Sequence, residues 1–145
     1  MDRILVADDH PLFRAALRAA MARAAPSAVI EETASLEGVR QALAAGPVEL
    51  VLLDLKLSDS EGFLGLSTLR AEHPALPVAV VSASEDLPVI RRALALGAAG
   101  FIPKSATLAQ MVEAIGAVLA GDGWAPETGP DPNPEADAVD QRLAS

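Results

Sequence analysis

Short apolar runs alternate with segments of helical period along this chain, and no other feature restricts its possible folds so strongly. Runs of strand length stand at residues 4–7, 29–33, 50–54, 78–82 and 100–102. Between the first two, Phe13, Leu17 and Met21 fall on one side of a helix with Arg14 and Arg18 facing away, and Pro11 sits where a first helical turn accepts it. Further helical patterns cover 36–45, 63–72, 87–96 and 108–120. The last opens with Thr107 and Gln110 at capping-box spacing and closes before Gly121. Strands that alternate with helices pair in parallel through right-handed crossovers, which place helices on both faces of the sheet. The unbroken Leu50-Val51-Leu52-Leu53 suits a central strand buried on both sides, and Pro103 suits an edge, where a missing N–H costs little. The expected architecture is α/β, a doubly wound parallel sheet in the order 2-1-3-4-5. Its ligand crevice lies outside the carboxyl ends of strands 1 and 3.

A chain of 145 residues is long enough for one such domain, and a domain of roughly 120 residues hides about two thirds of its unfolded surface. It contains no cysteine, which excludes thiolate zinc sites, disulfide scaffolds and cysteine nucleophiles. The 20 acidic and 11 basic residues give a formal charge of −9. That balance opposes phosphate contacts to nucleic acid and favours a bound cation or a basic partner. The charge is uneven: residues 125–145 hold Pro126, Pro130, Pro132 and Pro134 with five acids (Glu127, Asp131, Glu135, Asp137, Asp140) against Arg142, a net −4 that leaves −5 for residues 1–124. The expected organisation is a folded domain over 1–124 and an acidic, proline-rich linker or tail over 125–145. There is no uncharged apolar run of about 18 residues, and MDRILVADDH places acids where a secretory signal needs an apolar stretch. The expectation is a soluble, cytoplasmic protein with no membrane contact.

The strand ends carry the chemistry. Strand 1 finishes in Asp8 and Asp9, strand 3 in Asp54, strand 4 in Ser82 and strand 5 in Lys104, so five polar groups meet at one rim. Three carboxylates in one crevice repel one another unless a cation lies among them, and this repulsion is expected to raise the pKa of at least one acid. All-oxygen ligation favours a hard ion such as Mg2+, completed by water and a backbone carbonyl. With the ion and Lys104 the site is neutral and can accept a phosphoryl group. A carboxylate nucleophile then gives a mixed anhydride, a reactive group able to drive a conformational change. Lys104 is one of only two lysines, the other being Lys56, and its compact ammonium suits a single phosphate oxygen.

Four stretches in order, ILVADDHPLFRAALR, VLLDLKL around Asp54, VVSAS around Ser82, and GAAGFIPKSAT containing Phe101 and Lys104, resemble the receiver domain of two-component response regulators of the NarL/FixJ-like (LuxR-type) class. The resemblance covers Met1 to about Trp124 and implies the flavodoxin-like (βα)5 fold. It also implies a signalling receiver rather than an enzyme, one that catalyses only its own phosphorylation and dephosphorylation. Asp54 is the implied phosphoacceptor, supplied by a sensor histidine kinase or a phosphotransfer protein. Mg2+ is the implied cofactor, held by Asp8, Asp9, Asp54 and the backbone carbonyl of Lys56. Lys104 pairs with the phosphate, and Ser82 and Phe101 relay the switch, Phe101 turning inward behind a displaced Ser82. A phosphorylation-dependent homodimer and control of a DNA-binding output domain outside this chain follow from the same resemblance, while residues 1–145 are expected not to bind DNA themselves.

Two positions depart from the family pattern. Ser58 and Asp59 stand where many relatives carry Pro-Gly, which suggests a looser loop after Asp54, and Ser105 replaces the proline that often follows the lysine, so a cis peptide there is not expected. Other readings exist for the same residues. Asp8 and Asp9 could merely cap the next helix, Asp54 could be a turn residue and Ser82 a structural hydroxyl. His10 could ligate metal but is read as the start of the first helix, and His73, before Pro74, as a surface loop residue. A phosphatase of the haloacid dehalogenase-like group would place two acids two apart after strand 1, and a flavin or nucleotide module would need a glycine-rich phosphate loop there. Asp8-Asp9-His10-Pro11 offers neither.

Overall fold

The computed structural model describes residues 2–126. In chain order the elements are β1 (Arg3–Ala7), α1 (Pro11–Ala24), β2 (Val29–Thr33), α2 (Leu36–Ala45), β3 (Leu50–Asp54), β4 (Lys56–Leu57), β5 (Ser60–Glu61), α3 (Leu64–Glu72), β6 (Val78–Ser82), α4 (Leu87–Ala95), β7 (Gly100–Pro103) and α5 (Leu108–Leu119). Five strands form one parallel sheet in the order β2-β1-β3-β6-β7. Counting those strands alone, this is the expected 2-1-3-4-5 of the flavodoxin-like fold. The two-residue antiparallel ladder of β4 with β5 lies in the loop after β3 and is invisible to hydrophobic periodicity, because so short a run has no period to read.

Residues of opposite parity along each strand pack into two separate cores. Ile4, Val6, Leu50, Leu52, Val81 and Ile102 meet Phe13, Leu17 and Met21 of α1 and Ile115 and Val118 of α5. Leu5, Ala7, Val51, Leu53, Val80 and Phe101 meet Val39 of α2, Leu66 and Leu69 of α3 and Ile90 of α4. All five residues of β3 are buried, as a strand covered on both faces must be. Arg3 ties β1 to the β2 edge, donating from Nε and Nη2 to the two carboxylate oxygens of Glu31, each at 2.8 Å. The Thr107–Gln110 capping box is present at the start of α5.

The other edge of the sheet, β7, is not left open. After α5 the chain turns through Gly121 (φ 85°) and Gly123 (φ 74°), left-handed conformations that favour glycine, and Trp124 then lies alongside β7. Its carbonyl accepts from the Phe101 N–H at 2.8 Å. A Cβ on Gly100 would stand 3.0 Å from that carbonyl oxygen and 2.9 Å from Val118 Cγ2, so the approach requires glycine. The expected acidic tail lies, from residue 127 onward, outside the described residues.

The loop after Asp54 is tied down, contrary to the looseness suggested by Ser58 and Asp59. The Asp59 carboxylate accepts from the backbone N–H groups of Leu36 and Glu37 at 2.7 and 3.0 Å, capping α2 from across the sequence. Ser58 donates from both its backbone N–H and its hydroxyl to the Ala34 carbonyl. Side-chain acceptors on the free N–H groups of a helix start supply here the anchorage that a Pro-Gly turn would give by restricting the backbone. No cis peptide bond occurs among the described residues.

Candidate functional site

Parallel strands end at the same side of the sheet, and the register sets which ends are neighbours. Ala7 pairs with Leu53 and Asp54 with Val81, so Asp8 and Asp54 leave adjacent strands at one level. Both are buried, Asp8 completely and Asp54 to 5% exposure, whereas Asp9 is exposed. Ser82 pairs with Pro103, and the Lys104 N–H donates to the Ser82 carbonyl at 2.8 Å, which starts the lysine side chain at the same rim. Its ammonium crosses the crevice, donating to Asp54 Oδ2 at 2.8 Å and lying 3.1 Å from Asp8 Oδ2. The ammonium also lies over the ring of Phe13 of α1, 5.2 Å from the ring centre. Asp8, Asp9, Asp54 and Lys104 therefore come together as the sequence led one to expect.

Asp54 is an acid under opposing influences. Burial pushes its pKa up most strongly; the hydrogen bonds from Lys104 and from the Lys56 N–H, 3.0 Å from Oδ1, pull it down, and the charge of Asp8 adds a smaller upward push. The net direction is upward. Repulsion among the acids thus acts in the expected sense, but desolvation outweighs it.

Ser82 is buried, and its hydroxyl accepts from the Ser84 N–H at 3.0 Å. A cavity of about 350 Å³ joins Ser82, Ser84, Asp54, Lys56, Phe63 and Lys104. Lys56 reaches the site through its backbone N–H, while its side chain is exposed. Phe101 is fully buried in this conformation among the residues between the sheet and α2–α4, the inward position that the expected relay would give it.

His10 is a site residue that the sequence reading set aside. It does stand at the N-cap of α1, but its side chain makes no cap hydrogen bond. Instead its Nδ1 lies 2.7 Å from Lys104 Nζ, 3.1 Å from Asp9 Oδ1, 3.2 Å from Asp8 Oδ1 and 3.7 Å from Asp54 Oδ2. The signal available in the sequence was its position directly after two acids at a strand end. His73 is the C-cap of α3 and plays no part here.

The donor set suits a divalent ion. One oxygen of Asp8 is fully buried with no hydrogen-bond donor, the Lys104 ammonium beside it supplying only charge. Ligand atoms of Asp8, Asp9, His10 and Asp54 lie within 4.8 Å of one another. A buried carboxylate oxygen lacking a donor is costly, and a cation would satisfy it.

A family model described as the response regulator receiver domain matches residues 4–116. The chain is 40% identical over 127 residues to the glycerol metabolism activator of Pseudomonas putida, covering 87% of this chain and 58% of that protein. It is 36% identical over 125 residues to response regulator GacA of Pseudomonas viridiflava, covering 86% and 58%. The chain thus spans somewhat more than half the length of these relatives. Among solved structures it resembles a LuxR family DNA-binding response regulator from Silicibacter pomeroyi, with a TM-score of 0.76 at 30% identity, over 89% of this chain and 100% of that one. The non-phosphorylated receiver domain of RcsB from Escherichia coli matches in fold at 18% identity, with a TM-score of 0.78 over 87% of this chain and 98% of that one. No helix among the described residues is long and apolar enough to cross a membrane.

Proposed function

The chain belongs to the response regulator receiver domain family, and from that membership we propose that it is a phosphorylation-controlled switch whose phosphoacceptor is Asp54. The observation that carries this reading is the buried Asp54 carboxylate bonded to Lys104 across the crevice from Asp8. In the proposed reaction an Asp54 oxygen attacks the phosphorus of a phosphohistidine on a sensor kinase or phosphotransfer protein. The P–O bond forms as the P–N bond breaks, and the departing imidazole nitrogen keeps the electron pair and takes a proton. Lys104 holds the acceptor carboxylate in place and then pairs with the phosphoryl oxygens. Asp8, Asp9, Asp54 and the Lys56 carbonyl would hold Mg2+, which when bound offsets the negative charge spreading over those oxygens.

The partner is a protein, and its docking face has a candidate. Leu12 and Leu64 are exposed at the first turns of α1 and α3, close in sequence to the rim residues His10 and Phe63. Apolar side chains beside a polar crevice suit recognition of a protein surface. With residues 1–124 as the receiver and 125–145 as a linker, the switch would act on a DNA-binding output domain and on self-association. Residues 1–145, at −9, would not hold DNA by themselves. A cytoplasmic setting follows from a kinase partner.

The test is intact-mass analysis after incubation with a small phosphodonor and Mg2+. The natural chain should gain one phosphate, Asp54→Asn none, and chelator should abolish the gain. Labelling that persists in Asp54→Asn, or at full extent in chelator, overturns the assignment.

A further inference from the structure

We propose that His10 Nδ1 is a protein ligand of the divalent ion and biases this site toward borderline transition ions over Mg2+; this rests on the reading above that Asp8, Asp9 and Asp54 form a cation site. The starting point is a conflict among lone pairs. An ammonium can only donate, so the 2.7 Å contact from Lys104 Nζ makes Nδ1 an acceptor and assigns the ring proton to Nε2. Nδ1 then faces Asp9 Oδ1 at 3.1 Å and Asp8 Oδ1 at 3.2 Å with no proton between them. Asp8 Oδ1 already accepts the His10 backbone N–H at 2.6 Å, which fixes that carboxylate toward the imidazole.

Acceptor atoms that crowd together repel unless a cation joins them. Their spacing is that of neighbouring ligands, not that of a ligand to its ion. Around an ion with bonds of ~2.1 Å, adjacent octahedral ligands stand ~3 Å apart and opposite ones ~4.2 Å. The contacts of Nδ1 with Asp8 and Asp9 match the first value, and Asp54 Oδ2 at 3.7 Å falls between the two. His10 therefore occupies a vertex of the coordination shell rather than the place of the ion. The fully buried Asp8 also carries an oxygen, Oδ2, that no hydrogen bond satisfies and that has only the charge of the Lys104 ammonium, 3.1 Å away, beside it.

The ligand chemistry sets the preference. Mg2+ takes oxygen donors and keeps its water, so an imidazole adds little to its binding, whereas later first-row ions such as Co2+ and Zn2+ gain from nitrogen. Lys104 would give up the His10 contact on ion binding and keep Asp54. At 60% side-chain exposure, His10 can be replaced without opening the core.

Calorimetric titration of the chelator-stripped chain with Mg2+ and, separately, Co2+ tests this on the natural sequence, His10→Ala and Asp9→Asn. The natural chain should prefer Co2+. Loss of an outer-shell partner costs a metal site about 10–100-fold, and His10→Ala should weaken Co2+ by at least the lower figure while leaving Mg2+ nearly unchanged. Asp9→Asn should weaken both ions. Equal or greater loss of Mg2+ in His10→Ala overturns the role of His10 alone. Indifference of both ions to Asp9→Asn overturns the acid site with it. Should His10→Ala fail to fold, the visible bands of Co2+ on the natural chain decide: a spectrum of all-oxygen ligation rejects the proposal, and one with nitrogen ligation sustains it.

Discussion

At the scale of the residue, the site is held in a costly state that its chemistry can use. Asp54 is buried and its pKa is raised, so the folded chain binds that proton more tightly than the unfolded one does. The associated stability is fully present below the ordinary aspartate value of about 3.9 and is lost as pH rises through the higher folded value. At neutral pH the ionised carboxylate therefore strains the fold. Asp54→Asn should melt at a higher temperature than the natural chain in chelator near pH ~7, and the gap should close on acidification toward pH ~4. A gap that widens on acidification would contradict the dominance of burial. Asp8 and Lys104 were legible as site residues because a charged group ending an apolar run needs a partner. His10 was not, since one histidine after two acids is equally a helix start, and only its side-chain direction distinguishes the two.

At the scale of the element, the loop bearing the site is braced from outside itself. Asp59 caps α2, and the two backbone N–H donors hold its pKa below the usual carboxylate range. For a lowered pKa the stabilisation is present above the ordinary value and fades as pH falls through the folded one. Asp59→Asn should thus lower the denaturant midpoint at pH ~7, with the difference shrinking toward pH ~3. The chain should remain folded, since the cores on the two faces of the sheet do not include this residue. Equal midpoints at neutral pH would show that the Asp59 cap adds nothing measurable to stability. The five main strands and five helices were readable because each spans enough residues to show a period. The β4–β5 ladder and the Asp59 cap were not, because one is too short for a period and the other joins residues 22 and 23 positions apart.

At the scale of the whole molecule, two adjacent strands, the inner β6 and the edge strand β7, connect the site to residue 124. Ser82 closes β6, Phe101 is buried in β7, and the Phe101 N–H is bonded to Trp124, the last long side chain before the proposed linker. Any shift of β7 is therefore felt at residue 124. Trp124 is further tied to α5 through Nε1 and Glu113 at 3.3 Å. With Phe101 already inside in this conformation, the proposed relay is expected to use β7 and its Trp124 contact. Ser82→Ala should still accept phosphate yet lose most of the change in self-association. The coupling at stake is about 1–3 kcal/mol between two pre-existing states. Sedimentation with and without a phosphate mimic measures it, and a Ser82→Ala response equal to that of the natural chain would move the relay to α1 and α5.

The sequence by itself determined the alternation of strand and helix, the sheet order and the three strand ends at which acids and a lysine stand. Periodicity and crossover handedness are local rules, and a parallel sheet brings its carboxyl ends together without further information. Only the tertiary structure decided the rest: that His10 turns into the crevice, that Asp59 caps a helix distant in sequence, that Phe101 lies inside and that Trp124 covers the β7 edge. Each of these depends on a side-chain direction or a backbone approach across the fold. Such contacts carry no period along the chain, so they exist as information only once the elements have packed.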